Sequence, residues 1–414
     1  MSRALHSDVQ IAGDAGAHHA SGSKTLASAF QPVYGLAQQK PVGYEALLRE
    51  VCPDGRLQLP AAFAPDAGEA DMVRADAQSH AVHLTNAGKT LPARHWLFLN
   101  IHASTMGRDG YAAYLASIAL ASGLSPEAIV LEVLEAAEHS LEELSERVKT
   151  YKDAGFLVAL DDFGIGYSNV SRVLRLEPDI IKLDRSLIQK TARDGRLLIN
   201  LIHVMHEAGM LIVAEGIETD EELLFAVRAN VDFAQGYLLG RPASDLPQEA
   251  SAAGIIDAAF DRLRAERLGA ADGMRSDVEG YTAALHEAVR RMARGVSLAD
   301  SCAKMLRKAN CIGCFALDGN GRQVGPTEWG PAVRVAEQKF APLSDFHGAR
   351  WDNRGYFQEA ISQPGTVVHT APYLSVTGSQ LCFTLTVALA TTKTPLVLGV
   401  DVSCPPLHLT GVYE

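Results

Sequence analysis

The chain has 414 residues, 47% of them apolar and 21% charged, and carries a net charge of −12. That length predicts two or three domains, with enough apolar material for sizeable cores. The negative balance argues against broad binding to nucleic-acid polymers or to an anionic membrane, which want a basic face, but permits a small anionic ligand held by a metal and a few cations.

Residues 1–24, MSRALHSDVQIAGDAGAHHASGSK, lack the apolar core of a signal peptide and read as a disordered lead-in, His18 and His19 included. No apolar run approaches the length that spans a bilayer. The six cysteines, at 52, 302, 311, 314, 382 and 404, fit reduced thiols and a cytoplasmic location.

From about residue 25 to 245, short apolar runs alternate with amphipathic helical stretches, a β/α rhythm. Strand candidates end at Glu45, Asn100, Glu132, Asp161, Lys182, Glu215 and Gln235. In a closed parallel barrel these carboxyl ends share one face, where active sites form. The spacing alone does not separate a barrel from an open doubly wound sheet, although no GxGxxG opens the first unit. The most informative stretch is 155–184, GFLVALDDFGIGYSNVSRVLRLEPDIIKLD. Its first apolar run, Phe156–Leu160, ends in Asp161 and Asp162, and its second ends in Lys182 and Asp184. Unpaired acids are costly at the end of a buried strand unless a cation lies between them, a raised pKa is useful, or they form a structural ion pair. All-oxygen ligands favour Mg²⁺ or Mn²⁺. Two such ions about 4 Å apart suit in-line attack on a phosphodiester. Lys182 would hold the attacking water or a phosphate oxygen, and Arg49 a neighbouring phosphate.

After Pro242 the composition changes. Residues 249–305 predict a helical connector, broken near Gly269–Gly273 and Gly295. From 306 to 414 the pattern predicts an α+β domain, with strands at Cys311–Leu317, Thr366–His369, Leu381–Ala388 and Leu396–Val402 and helices at Gly330–Lys339 and Tyr356–Ile361. Cys311 and Cys314 form a lone CxxC, a weak zinc signal, and in a regular strand they would face opposite ways.

Residues 30–49, FQPVYGLAQQKPVGYEALLR, resemble the opening of the EAL family of cyclic di-GMP phosphodiesterases, with Glu45-Ala46-Leu47 as the naming tripeptide. LFLN to Asn100, LEVLE over Leu131–Glu135, DDFGIGYS over Asp161–Ser168, IKLD over Ile181–Asp184, VAEGIE over Val213–Glu218 and QGYLLGRP over Gln235–Pro242 follow in the family's order. The resemblance covers residues 25–248 and implies a modified (β/α)₈ barrel with one antiparallel strand, hydrolysing cyclic di-GMP to linear pGpG with two Mg²⁺ or Mn²⁺ ions, and a homodimer. It implies metal ligation by Glu45, Asn100, Glu132, Asp161, Asp162 and Glu215. Glu215 would be the general base and Lys182 would orient water. Gln31, Leu47, Arg49, Asp184 and Gln235 would contact substrate, and Glu135 and Glu218 would support the loops. Three positions depart from the family's pattern: Ile165 replaces Thr or Ala, Leu134 replaces Thr, and His102 replaces Ser. No metal ligand is lost, and no GGDEF-like cyclase signature occurs. A catalytically weak or inactive cyclic di-GMP receptor and a structural scaffold are the competing readings.

The C-terminal segment resembles the Cache group of PAS-like sensor domains through Arg354-Gly-Tyr-Phe357, Pro372-Tyr-Leu-Ser375 and Gly399-Val-Asp401. That resemblance implies a small-molecule pocket built by Trp351, Arg354, Tyr356, Tyr373 and Asp401, with Arg for a carboxylate and Asp for an ammonium. In the competing view these aromatics simply pack the core.

Overall fold

A computed structural model describes residues 19–21, 24–52, 56–58, 69–133, 141–164, 170–191, 195–244, 246, 252–333, 346–375, 380–389 and 395–403. The chain divides into two compact units, Met1–Leu263 and Arg264–Glu414.

In the first unit, β1 (His19–Ser21), β2 (Lys24–Gly35), β3 (Lys40–Val51) and β4 (Leu57–Gln58) precede α1 (Glu69–Thr90). Then follow β5 (Trp96–Ile101), α2 (Ala103–Met106), α3 (Tyr111–Ala121), β6 (Ile129–Val133), α4 (Leu141–Asp153), β7 (Leu157–Phe163), α5 (Val170–Leu176) and β8 (Ile180–Leu183). The unit continues through α6 (Arg185–Thr191), α7 (Arg196–Glu207), β9 (Leu211–Ala214), α8 (Asp220–Arg228) and β10 (Phe233–Ala234). The strands run β2-β10-β9-β8-β7-β6-β5-β3, and β2 pairs with β3 to close the ring. Strand β2 is antiparallel to both β3 and β10, whereas the neighbours from β3 round to β10 are parallel. This is a modified (β/α)₈ barrel with one reversed strand. Residues 19–21, expected in a disordered lead-in, instead extend the sheet as β1, with His19 opposite Leu26.

The barrel interior is layered because strand side chains alternate with period two. Val33, Phe98, Val130, Ala159, Ile180, Val213 and Phe233 form one buried apolar cluster. Two positions along each of those strands, towards the carboxyl ends of the parallel set, stand Gln31, Asn100, Glu132, Asp161, Lys182, Glu215 and Gln235. Gly43 and Glu45 complete the set on β3; a Cβ on Gly43 would meet Phe98 at 2.8 Å. An apolar floor therefore lies one pleat below a polar layer. Outside the strands, a larger core of buried Leu, Ile, Val and aromatic residues joins them to the helices.

Helix α1 carries buried polar groups against the barrel wall. His83 is 2% exposed and its Nδ1 lies 2.7 Å from Ser28 Oγ, which also accepts from Asn86. Burial, and then the charges of His80 and Arg49, push His83 down to about 3. Below about pH 6.5 the unfolded chain binds a proton that the folded chain refuses until about pH 3. The stability from a neutral His83 is complete above that window and falls by about 1.4 kcal/mol per pH unit within it. Denaturant melts between pH 7 and pH 5 should show this slope in the wild type and one proton less of it in His83→Gln.

Helix α9 (Ala253–Met292) begins in the first unit and ends in the second, where it is followed by α10 (Leu298–Cys302), β11 (Cys311–Leu317), β12 (Glu328–Trp329), α11 (Gly355–Ser362), β13 (Val367–His369), β14 (Tyr373–Ser375), β15 (Gln380–Leu389) and β16 (Leu396–Ser403). The antiparallel sheet runs β12-β11-β16-β15-β13, with β14 also on β15. Expectations change here at several points. Helix α9 runs unbroken through Gly269 and Gly273. Isolated glycines cost about 1 kcal/mol each against Ala, which the flanking Ala, Leu, Glu and Arg outweigh. Within the region 249–305, Ile256, Ala259 and Leu263 belong to the barrel's core, and Tyr281, Leu285, Ala288, Val289, Cys302 and Met305 to the core beneath β11, β15 and β16. Residues 330–333, expected to open a helix, form a turn, and 334–339 lie outside the described residues. Cys311 and Cys314 do not face opposite ways, because a bulge between Cys311 and Gly313 shifts the register and buries both in one core.

Candidate active site

The polar layer converges on Lys182, at the end of β8 and only 1% exposed. Its Nζ pairs with Glu132, lies 2.6 Å from Glu215 Oε1, 3.3 Å from Asp161 Oδ1 and 4.0 Å from Glu45 Oε2. Four carboxylates from four strands thus surround one buried ammonium. Burial alone would lower the pKa of Lys182, but Glu132, Glu215, Glu45 and Asp161 outweigh it and hold it well above the ordinary lysine value. The acids are not equivalent. Burial, then the charge of Glu45, pushes Glu132 well above the carboxylate range despite Lys182. Burial also raises Glu215, to about 8, against the pull of Lys182. For Glu45, burial is overcome by Lys182 and by the amides of Gln235 and Asn100, so this carboxyl lies below its usual value.

Those amides tie the strand ends together. Gln235 Nε2 donates to Glu45 Oε2 at 2.6 Å, and Asn100 Nδ2 donates to Glu45 Oε1 at 3.0 Å. Gln31 Oε1 accepts from Gln235 at 3.2 Å, while Gln31 Nε2 donates to the carbonyl of Gly240.

Asp161 and Asp162 are adjacent, so a regular strand would point them to opposite faces. The register of β7 on β8 shifts between Leu160 and Phe163, and Asp162 has φ 54°, in the left-handed region that non-glycine residues rarely occupy. This irregularity turns both acids inward. One ligand oxygen from each of Asp161, Asp162 and Glu215 lies within 4.8 Å of the others. Among the described residues this is the one such cluster of possible metal ligands, and its all-oxygen donors fit a hard divalent cation.

A cavity of about 300 Å³ opens over this layer, lined by Gln31, Glu45, Asp184, Arg185, Glu215, Gly216, Glu218, Gln235, Gly236 and Tyr237. Asp184 Oδ1 accepts from the Ser186 amide at the start of α6. Leu47 and Arg49 share the strand face of Glu45. Arg49 is partly buried and donates to the carbonyl of Leu48. Glu218 pairs with Arg185 at 2.7 Å, and Arg185 also donates to Glu222, which closes a capping box with Thr219. Glu135, Leu134 and Ile165 lie outside the described residues. His102 takes over a hydroxyl's capping role, because its Nδ1 accepts from the Ser104 amide at the start of α2.

The sequence reading missed Arg185 and Tyr237. Both adjoin motifs that it used: Arg185 follows IKLD, and Tyr237, half exposed beneath the Arg241 guanidinium, sits within QGYLLGRP. In the second unit, Arg354 is exposed, with its guanidinium 5.9 Å from the Trp351 ring centre. Asp401 is buried within β16, where Thr384 donates to it at 2.6 Å and Tyr373 hydrogen-bonds Thr384. Tyr356, with Trp351 and Tyr373 packed alongside, belongs to an apolar cluster with Phe315 and Phe357.

A reversed strand in an eight-stranded α/β barrel, with carboxylates from several strand ends around one lysine, defines a class of acid-rich barrel site whose donors could hold a metal ion. The family follows from comparison: residues 17–242 match the EAL domain, and the chain belongs to that family. The Escherichia coli K12 protein called "Probable cyclic di-GMP phosphodiesterase PdeG" is 30% identical over 221 residues, 51% of this chain and 44% of that protein. The cyclic di-GMP phosphodiesterase NbdA of Pseudomonas aeruginosa is 29% identical over 260 residues, 60% of this chain and 31% of that one. The chain spans less than half the length of these relatives. The Bacillus subtilis protein YkuI, an EAL-domain protein solved with cyclic di-GMP and calcium, shares the fold with a TM-score of 0.76 at 19% identity, over 92% of this chain and 96% of that one.

Proposed function

We propose that this protein is a metal-dependent phosphodiesterase that hydrolyses cyclic di-GMP to linear pGpG. The observation that carries the reading is the convergence of Asp161, Asp162 and Glu215 within 4.8 Å beside Lys182, under an open cavity. A structural ion pair needs neither several acids per lysine nor a cavity above them. Glu45, Asn100, Glu132, Asp161, Asp162 and Glu215 would hold two Mg²⁺ or Mn²⁺ ions. Bound there, the ions supply Lewis acidity towards the phosphodiester and lower the pKa of water.

The chain's own groups do the rest. Lys182 is held charged by its carboxylates and orients the attacking water. Glu215 takes the water's proton as the new P–O bond forms and the bond to the leaving ribose oxygen breaks. Gln31, Leu47, Arg49, Asp184 and Gln235 line the substrate's path, with Arg49 supplying positive charge for a phosphate. Glu218 holds the loop after Glu215 through Arg185. The second unit acts as a sensor or dimerisation module. Its antiparallel sheet supports that role.

Purified protein supplied with Mn²⁺ or Mg²⁺ should convert cyclic di-GMP to pGpG, followed by chromatography. Glu45→Ala and Glu215→Ala should each lower the rate by about 100-fold or more. Binding of the nucleotide without turnover by well-folded wild type would favour a receptor instead.

A further inference from the structure

Helix α1 grips the end of β5 at two points, both just after the side chain that faces the acids. His80 is fully buried, and its Nε2 lies 2.8 Å from the carbonyl oxygen of Asn100. The next contact along comes from Asp76, whose Oδ2 accepts from the amide of His102 at 2.8 Å. The other nitrogen of His80, Nδ1, lies 2.9 Å from the hydroxyl of Tyr111, and the two rings pack at a 57° tilt with centroids 6.0 Å apart. A carbonyl can only accept, so Nε2 carries a proton in this contact, while Nδ1 faces the Tyr111 hydroxyl. Asn100 is thereby fixed at its backbone, and its side chain is delivered to Glu45 Oε1 at 3.0 Å.

We propose that His80 is a positioning residue for the metal centre, holding Asn100 through its carbonyl while Tyr111 fixes the orientation of the imidazole ring. The inference rests on the reading of Asn100 as a metal-facing residue. Histidine is suited to this place because its two nitrogens point in different directions, one to the strand end and one to α3. Asp76 and His80 lie four residues apart on α1, so one helix face supplies both contacts. The arrangement resembles the outer partners that orient metal ligands elsewhere, whose loss typically costs about 10–100-fold in metal affinity.

Two conservative variants separate the two nitrogens. In His80→Gln the amide nitrogen takes the place of Nε2 and keeps the donor to Asn100. In His80→Asn the amide takes the place of Nδ1, keeps the Tyr111 contact and loses the donor to Asn100. Mn²⁺ affinity, read from the signal of the free ion in electron paramagnetic resonance, requires no turnover. His80→Asn should weaken Mn²⁺ binding by about 10–100-fold, with His80→Gln close to the wild type. In an Asn100→Ala background, His80→Asn should have no further effect, because the two act through one contact. Equal affinities for the Asn and Gln variants, or full additivity with Asn100→Ala, would overturn the proposal. A wild type that binds Mn²⁺ without hydrolysing cyclic di-GMP would sink the phosphodiesterase reading and leave this test intact. A wild type that binds no divalent ion would sink both.

Discussion

Lys182→Met is expected to abolish turnover and to lower the stability of the metal-free protein by about 3–5 kcal/mol, the range for removing one partner of a buried ion pair. Methionine keeps most of the lysine volume, so little of that loss comes from a cavity. The cost is electrostatic: Glu132, Glu215, Glu45 and Asp161 face Lys182 from four strands. Part of it is absorbed by proton uptake, because burial already pushes Glu132 and Glu215 upward. The discriminating measurement is a denaturant melt with and without Mn²⁺. A divalent cation should restore most of the lost stability by replacing the missing positive charge, and should bind more tightly than in the wild type. Turnover should stay down by about 100-fold or more, because an ion cannot replace a group placed to orient water. Retained turnover would remove Lys182 from the mechanism. A metal-free stability equal to that of the wild type would mean that the acids do not need it.

Much of this site was legible in the sequence because a barrel strand alternates its faces. Ile180 and Lys182, or Val130 and Glu132, read as an apolar residue followed two positions later by a polar one, and that step is the floor and the active layer of the barrel. What the sequence did not show is what breaks the alternation. Asp161 and Asp162 share a site only because Asp162 adopts φ 54° at a register shift. Cys311 and Cys314 share a core through a bulge of the same kind. The first irregularity has no glycine at Asp162 to announce it, and the second is marked only by Gly313. That one strand runs antiparallel came from family resemblance, since local pattern carries no strand direction, and only the structure places it at β2. His80 and His83 were passed over because a histidine within a helix has no periodic signature; only the facing strand reveals what it holds.

Gly236→Ala should damage the site without touching a charged group. Gly236 is not among the residues of positive φ, so its requirement is one of space rather than of backbone conformation. An added Cβ would lie 2.1 Å from the oxygen, 2.2 Å from the nitrogen and 2.6 Å from the carbonyl carbon of Ile217. These are backbone atoms, which cannot swing aside as a long side chain can. They are also fixed, because Ile217 N donates to the carbonyl of Gln235 and Ile217 O accepts from the amide of Leu238, both at 3.0 Å. To admit the methyl group, the loop after Glu215 and the loop after Gln235 must separate. That motion withdraws Glu215 from the acids and Gln235 from Glu45 together. Overpacking of this kind costs about 3 kcal/mol or more, and turnover should fall by about 100-fold through misplacement of the two groups. Gly110→Ala is the control: its φ is 78° and nothing lies within 4 Å of the added Cβ. That variant should lose about 1–2 kcal/mol through backbone strain while keeping the wild-type rate. Melting temperature and kcat/KM measured on both variants separate loss of stability from loss of geometry. A Gly236→Ala enzyme as active as the Gly110→Ala control would show that the two loops are not held together by this contact.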